Sequence, residues 1–257
     1  MITGPCEDGS CIEIPNQHGI GMRISSIVCL VAVAGVVILA AGDISPAFAI
    51  VAQARPREFD PRLLETGDLI QYRDLSREDF LAADPPAEAI GLHGRLGAAT
   101  CVFLTTHPDT VIRASSRGLD QQRGVVRAQI ENLGFLAYMD RECSWWNPAP
   151  IALPEEYILE HEQIHFAFFE IAARRLNRRA DQLTRQMETV STSQQRALEE
   201  IHRQIDAEMQ RIIEEVMARS NDFDRETSRT YRRDRQKWWR QTVNLELERL
   251  ANVDDLP

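Results

Sequence analysis

Between Pro154 and Leu256 the chain contains neither glycine nor proline. A stretch of that length without a helix breaker constrains the fold more than any other feature, because those two residues most often end or kink a helix. The apolar spacing within it is helical. Ile158, His161, His165, Phe168 and Ala172 fall on one face, and Leu183, Met187 and Val190 continue the pattern. Leu198, Ile201, Ile205, Met209, Ile212 and Val216 then repeat it with steps mostly of three and four. Pro154 suits a helix N-terminus, with Glu155 and Glu156 placed in its first turn. The one soft spot, Ser191-Thr192-Ser193-Gln194, reads as the bend of a helical hairpin, with a single unbroken helix as the alternative. A further helix is expected over Arg225 to Leu250.

The preceding half has a different texture. Ile70-Gln71-Tyr72 reads as a short strand and Leu75 to Phe80 as a capped helical turn, and Asp84-Pro85-Pro86 imposes an extended or turning chain. Strand-like runs follow at Ala99 to Thr106, Thr110 to Ala114 and Val125 to Trp145. In the last of these, Val126, Ala128 and Ile130, then Leu133, Phe135, Ala137 and Met139, recur with a period of two. Strands first and helices afterwards give an α+β fold: antiparallel strands, then a motif-bearing helix, a helical hairpin and a C-terminal helix.

The motif is His161-Glu162-Gln163-Ile164-His165, an H-E-x-x-H sequence inside the first long helix. Positions i and i+4 of a helix differ by only about 40° in direction, so both imidazoles project from one face and can bind the same zinc ion. Glu162 is turned away by one residue's rotation, within reach of water but not of the metal. Zn2+ is therefore the expected cofactor, and Glu162 the expected general base of a metallopeptidase.

The N-terminus supplies the compartment. Met22-Arg23 precedes the nearly continuous apolar run Ile24 to Ala41, and Ser45-Pro46-Ala47-Phe48-Ala49 then offers a breaker and a small-residue exit. That order is a secretory signal peptide over 22–49, with an uncleaved membrane anchor as the alternative. Residues 1–21 read as an extension ahead of the true start at Met22; they hold Cys6 and Cys11, a pair with no second half to complete a metal site. Residues 50–67 read as a linker and 68–257 as the functional domain. An exported chain meets oxidising conditions, so a disulfide between Cys101 and Cys143 is expected. The formal charge of −10 lacks the basic footprint of a nucleic-acid binder. The arginine pairs on the helices stand among acidic residues, as solvated faces do. The remaining partner is a peptide or protein substrate, and membrane association is expected only through an uncleaved anchor.

His161-Glu162-Gln163-x-His165-Phe166, followed by Glu170, Ala173 and Arg174, resembles a bacterial family of predicted secreted zinc-dependent proteases of unknown function. Tyr72-Arg73-Asp74-Leu75 with Asp79-Phe80, Ser144-Trp145-Trp146, Phe223-Asp224-Arg225-Glu226-Thr227 and Gln236-x-x-Trp239 extend the likeness over about residues 69–240. The resemblance implies an exported zinc peptidase. It also exposes a departure, because the family has a histidine two residues after the Glu-Thr pair, where this chain has Arg229. A catalytic zinc site needs three protein ligands. Asp224 and Glu226 are the carboxylates close enough to replace that histidine, and Glu226 is taken as the third ligand. Glu170 points away from the two histidines, and His202 lies between apolar positions of the next helix. Tyr231 is a candidate to polarise the substrate carbonyl. The competing reading is a non-catalytic envelope protein on the same fold, with its third ligand lost.

Overall fold

The computed structural model describes residues 59–86, 96–116, 118–149, 152–228 and 231–251. The proposed start at Met22, the signal peptide over 22–49 and Arg229 lie outside these residues. The fold class is α+β, as expected.

Ahead of the first strand, the stretch read as the end of a linker carries a short helix, α1 (Arg62–Thr66), which stops at Gly67 with φ +80°. Phe59 packs on Tyr138 with ring centroids 5.0 Å apart. Strand β1 (Leu69–Gln71) follows, then a 3-10 turn over Arg77–Asp79 closed by a reciprocal Ser76–Asp79 capping box.

Three small antiparallel sheets come next. β3 (Val102–Thr106) and β1 flank β6 (Phe135–Asp140), which is buried along its whole length. The period of two therefore marks β6 only weakly: Leu136 and Tyr138 fill the face that would carry polar residues on a half-exposed strand. β2 (Ala98–Ala99) pairs with β7 (Trp145–Trp146). β4 (Val111–Ser115) and β5 (Val126–Asn132) form a hairpin around the short helix α2 (Leu119–Gln122). In β5 the alternation does hold, with Ala128 and Ile130 inward and Gln129 and Glu131 outward.

The third strand of that last sheet corrects the sequence reading. The helix bearing the motif, α3 (Glu155–Arg178), is continued after a break at Arg179 by α4 (Ala180–Gln186). Residues Glu188–Ser191 are not helical: they form β8, paired antiparallel with β5 from Val126↔Ser191 to Gln129↔Glu188. The chain does bend at Thr192 and Ser193, but the residues leading into the bend, read as helical, are a strand. Thr189, Val190 and Thr192 favour an extended chain, and β5 supplies the hydrogen bonds a helix would otherwise give. Ser193 caps the next helix, its hydroxyl accepting from the Arg196 amide at 3.5 Å.

That helix, α5 (Gln194–Thr227), runs antiparallel to α3: Tyr157 Oη donates to the Thr227 carbonyl, while Arg219 lies over Phe168, about three turns further along α3. The C-terminal helix α6 (Arg233–Ala251) runs parallel to α3, bonded from Tyr157–Gln236 at one end to Arg174–Leu247 at the other. On its far side α3 covers β6 and β3. Asn177 fastens it there, accepting from the Phe135 amide at 2.7 Å and donating to the Phe135 carbonyl at 2.9 Å. Gln163, inside the motif, fastens the middle of α3, accepting from the Leu75 amide at 2.6 Å and donating to the Arg73 carbonyl at 3.0 Å. Cys101 and Cys143 form the expected disulfide, with Cα atoms 5.7 Å apart.

Candidate metal centre

His161 and His165 lie one turn apart on α3, on the face turned toward α5. Their Nε2 atoms are 3.0 Å apart, and both meet Oδ1 of Asp224, at 3.0 Å from His161 and 3.1 Å from His165. Three donor atoms thus converge on one point between two antiparallel helices, and this group could hold a metal ion. Two imidazole nitrogens and a carboxylate oxygen suit a divalent transition metal. The histidines are fully buried, while the Asp224 side chain keeps 22% of its surface exposed, so access to the group lies on the Asp224 side.

The third member of the group is therefore Asp224 and not Glu226, the residue expected from the sequence. On a helix these two residues point about 160° apart, and they flank the buried stripe of Val216, Ser220, Phe223 and Thr227 from opposite sides. α3 occupies the Asp224 side. On the other side lies α6, where Glu226 pairs with the Arg235 guanidinium and accepts from Trp239 Nε1 at 2.8 Å.

Packing fixes the two rings. Phe223 stacks on His161 with centroids 4.3 Å apart, and presents its edge or face to His165 at 5.0 Å. Phe168 and Trp239 complete this aromatic cluster, so the motif's phenylalanines are core residues, and Trp239 anchors α6 against the helices and not against a sheet. Trp238 is exposed beside Arg235. The Thr227 hydroxyl donates to the Phe223 carbonyl at 2.7 Å and meets His161 Nδ1 at 3.4 Å as an acceptor. A proton on Nδ1 in that contact would leave the Nε2 lone pair free for a metal ion.

The charges agree with this arrangement. Burial pushes the His161 pKa down to about 4, only partly opposed by Asp224, so the ring is neutral and able to ligate. Burial opposes ionisation of Asp224 as well, but His165 and His161 outweigh it and hold its carboxyl below the usual carboxylate range. Glu162, wholly buried, is pushed up to about 7. Its Oε2 accepts from the Thr100 hydroxyl. Its Oε1, like His165 Nδ1, finds no hydrogen-bond partner among the described residues.

The other candidates fall outside the group. His202 is exposed, Glu170 bonds Arg174 at 2.6 Å, and Tyr231 is half exposed with its ring against Tyr157. Sequence reasoning gave no role to Thr100, nor to Phe223 and Thr227, although the last two stand in the motif around Asp224. The last two could have been found from their place on the buried stripe of α5 beside Asp224. Thr100 carries no local signal, since its partner is Glu162, far along the chain.

No protein-family model matches the chain, and no curated protein or solved structure is significantly similar to it. Among the described residues no helix is long and apolar enough to cross a membrane.

Proposed function

We propose that the chain is an exported zinc metallopeptidase of the kind its motifs resemble, with His161, His165 and Asp224 as ligands and Glu162 as general base. The observation that carries this reading is the triangle of Nε2, Nε2 and Oδ1 with sides of 3.0, 3.0 and 3.1 Å. A tetrahedral zinc with donors at about 2.0–2.1 Å spaces them about 3.3 Å apart, close to what these side chains already adopt. Three is also the number of protein donors that a hydrolytic zinc site takes, and His161, His165 and Asp224 would supply them. When bound, zinc supplies a Lewis acid that makes water nucleophilic near neutral pH. Glu162 then serves the proton: Oε1, without a protein partner, accepts it from the attacking water and returns it to the leaving amine. Export is supported by the Cys101–Cys143 bridge, since disulfides persist in oxidising compartments.

The test compares wild type, Glu162→Gln and Asp224→Ala on unstructured protein substrates, with zinc measured in each. Wild type should carry about one zinc per chain. Glu162→Gln should keep the zinc and lose about 10²-fold or more in rate, whereas Asp224→Ala should lose both. Proteolysis that survives in Glu162→Gln would belong to another site. A zinc-loaded wild type with no activity on a broad peptide library would replace the peptidase by the non-catalytic envelope protein.

A further inference from the structure

Thr100 stands where the strands of the first half meet the motif helix. It is 1% exposed, and its hydroxyl donates to Oε2 of Glu162 across a large separation in sequence. The backbone on both sides is held. Ala99 pairs with Trp145 in the β2–β7 ladder. Cys101 is bonded to Cys143, donates its amide to Ser144 Oγ at 3.0 Å and accepts from the Asp140 amide at 2.9 Å. The donor is therefore fixed, while the acceptor sits at the end of a side chain with three rotatable bonds. A fixed donor facing a mobile acceptor selects one rotamer of the acceptor.

We propose that Thr100 is the positioning residue of Glu162: its hydroxyl occupies Oε2 and so leaves Oε1 as the oxygen that handles the proton. The catalytic consequence rests on the peptidase reading given above; the geometry does not. Loss of the hydroxyl removes the restraint on the carboxylate without touching a metal ligand. The expected signature is a fall in kcat with zinc content and KM preserved.

Two measurements on the full-length exported protein test this. In the metal-free protein, Thr100→Val is made in wild type and in Glu162→Ala, and thermal unfolding is followed in all four. If the hydroxyl serves Glu162, the substitution should lower the Tm by about 2–6 °C in wild type and by much less once Glu162 is gone. Equal losses in the two backgrounds would overturn the proposal. In the zinc-loaded protein, Thr100→Val should lower kcat about 10- to 100-fold, and Thr100→Ser, which keeps the hydroxyl, should recover most of it. Wild-type kcat in Thr100→Val would also overturn it. Should Thr100→Val not fold, Thr100→Ala removes the same hydroxyl and serves both comparisons. An inactive wild type would count against the peptidase reading alone, and the unfolding cycle would then decide the role of Thr100.

Discussion

Replacing Asp224 by alanine removes the carboxylate oxygen that His161 and His165 share, and two imidazoles alone do not make a tight zinc site. The variant should lose stoichiometric zinc in metal analysis. Glu226→Ala is the matched control: it should keep the zinc and lose about 1 kcal/mol of stability, because what it breaks is the contact with Arg235 and Trp239. The sequence could not separate these two carboxylates, since both flank the buried stripe of α5 and only the arrangement of α3 and α6 around it tells which faces the histidines. Another buried carboxylate, Asp79, sets a pH dependence. Burial disfavours its charge, but the bidentate Arg73 contact at 2.6 and 2.9 Å and the Ser76 amide outweigh that and depress its pKa. A depressed folded pKa contributes stability that is present above the unfolded value, about 3.9, and lost as pH falls through the folded one. Asp79→Asn should therefore be about 2 kcal/mol less stable than wild type at pH 7, with the gap narrowing below about pH 4. Urea unfolding at pH 7 and pH 3 reads that difference, and an unchanged gap would show that the carboxylate charge contributes nothing.

At the scale of elements, the helices that carry long amphipathic runs were legible, and so was the motif. The missing Gly and Pro, the first-turn acids of α3 and the spacing from Ile201 to Val216 all say helix, and tertiary packing agrees with them. β8 was not legible. Leu183, Met187 and Val190 keep helical spacing and Leu183 is helical, in α4, yet over Glu188–Ser191 that register weighs less than the hydrogen bonds β5 offers. Hydrogen exchange distinguishes the two. As an edge strand, β8 should show protection of about every second amide over Glu188–Ser191, because an antiparallel edge bonds only one side of each strand. A helix continued through these residues would protect all of them alike. Short strands such as β2 and β7 leave almost no periodic trace, and they are the elements that bring Thr100 beside Glu162.

Across the whole molecule, each half has a tether of its own chemistry. The disulfide joins Cys101 to Cys143 within the strand half, and the His161–His165–Asp224 group, which could hold a metal ion, joins α3 to α5 within the helical half. Closing a loop with a sequence separation of 42 stabilises by up to about 4 kcal/mol in the chain-entropy picture. A metal present at about 100 times its Kd adds about 2.7 kcal/mol. Each should move the Tm upward, by about 2–4 °C per kcal/mol for a domain of this size. No metal ligand lies in the disulfide loop, so the two effects should be close to additive. Thermal unfolding in four conditions, with zinc or chelator and with or without reductant, measures this directly. The expected result is a zinc-dependent shift of similar size in the oxidised and reduced protein, and its disappearance in Asp224→Ala under both. A zinc shift that vanished on reduction alone would mean that the strand half also holds the ligand cage in shape, and that the two halves are one cooperative unit around the site.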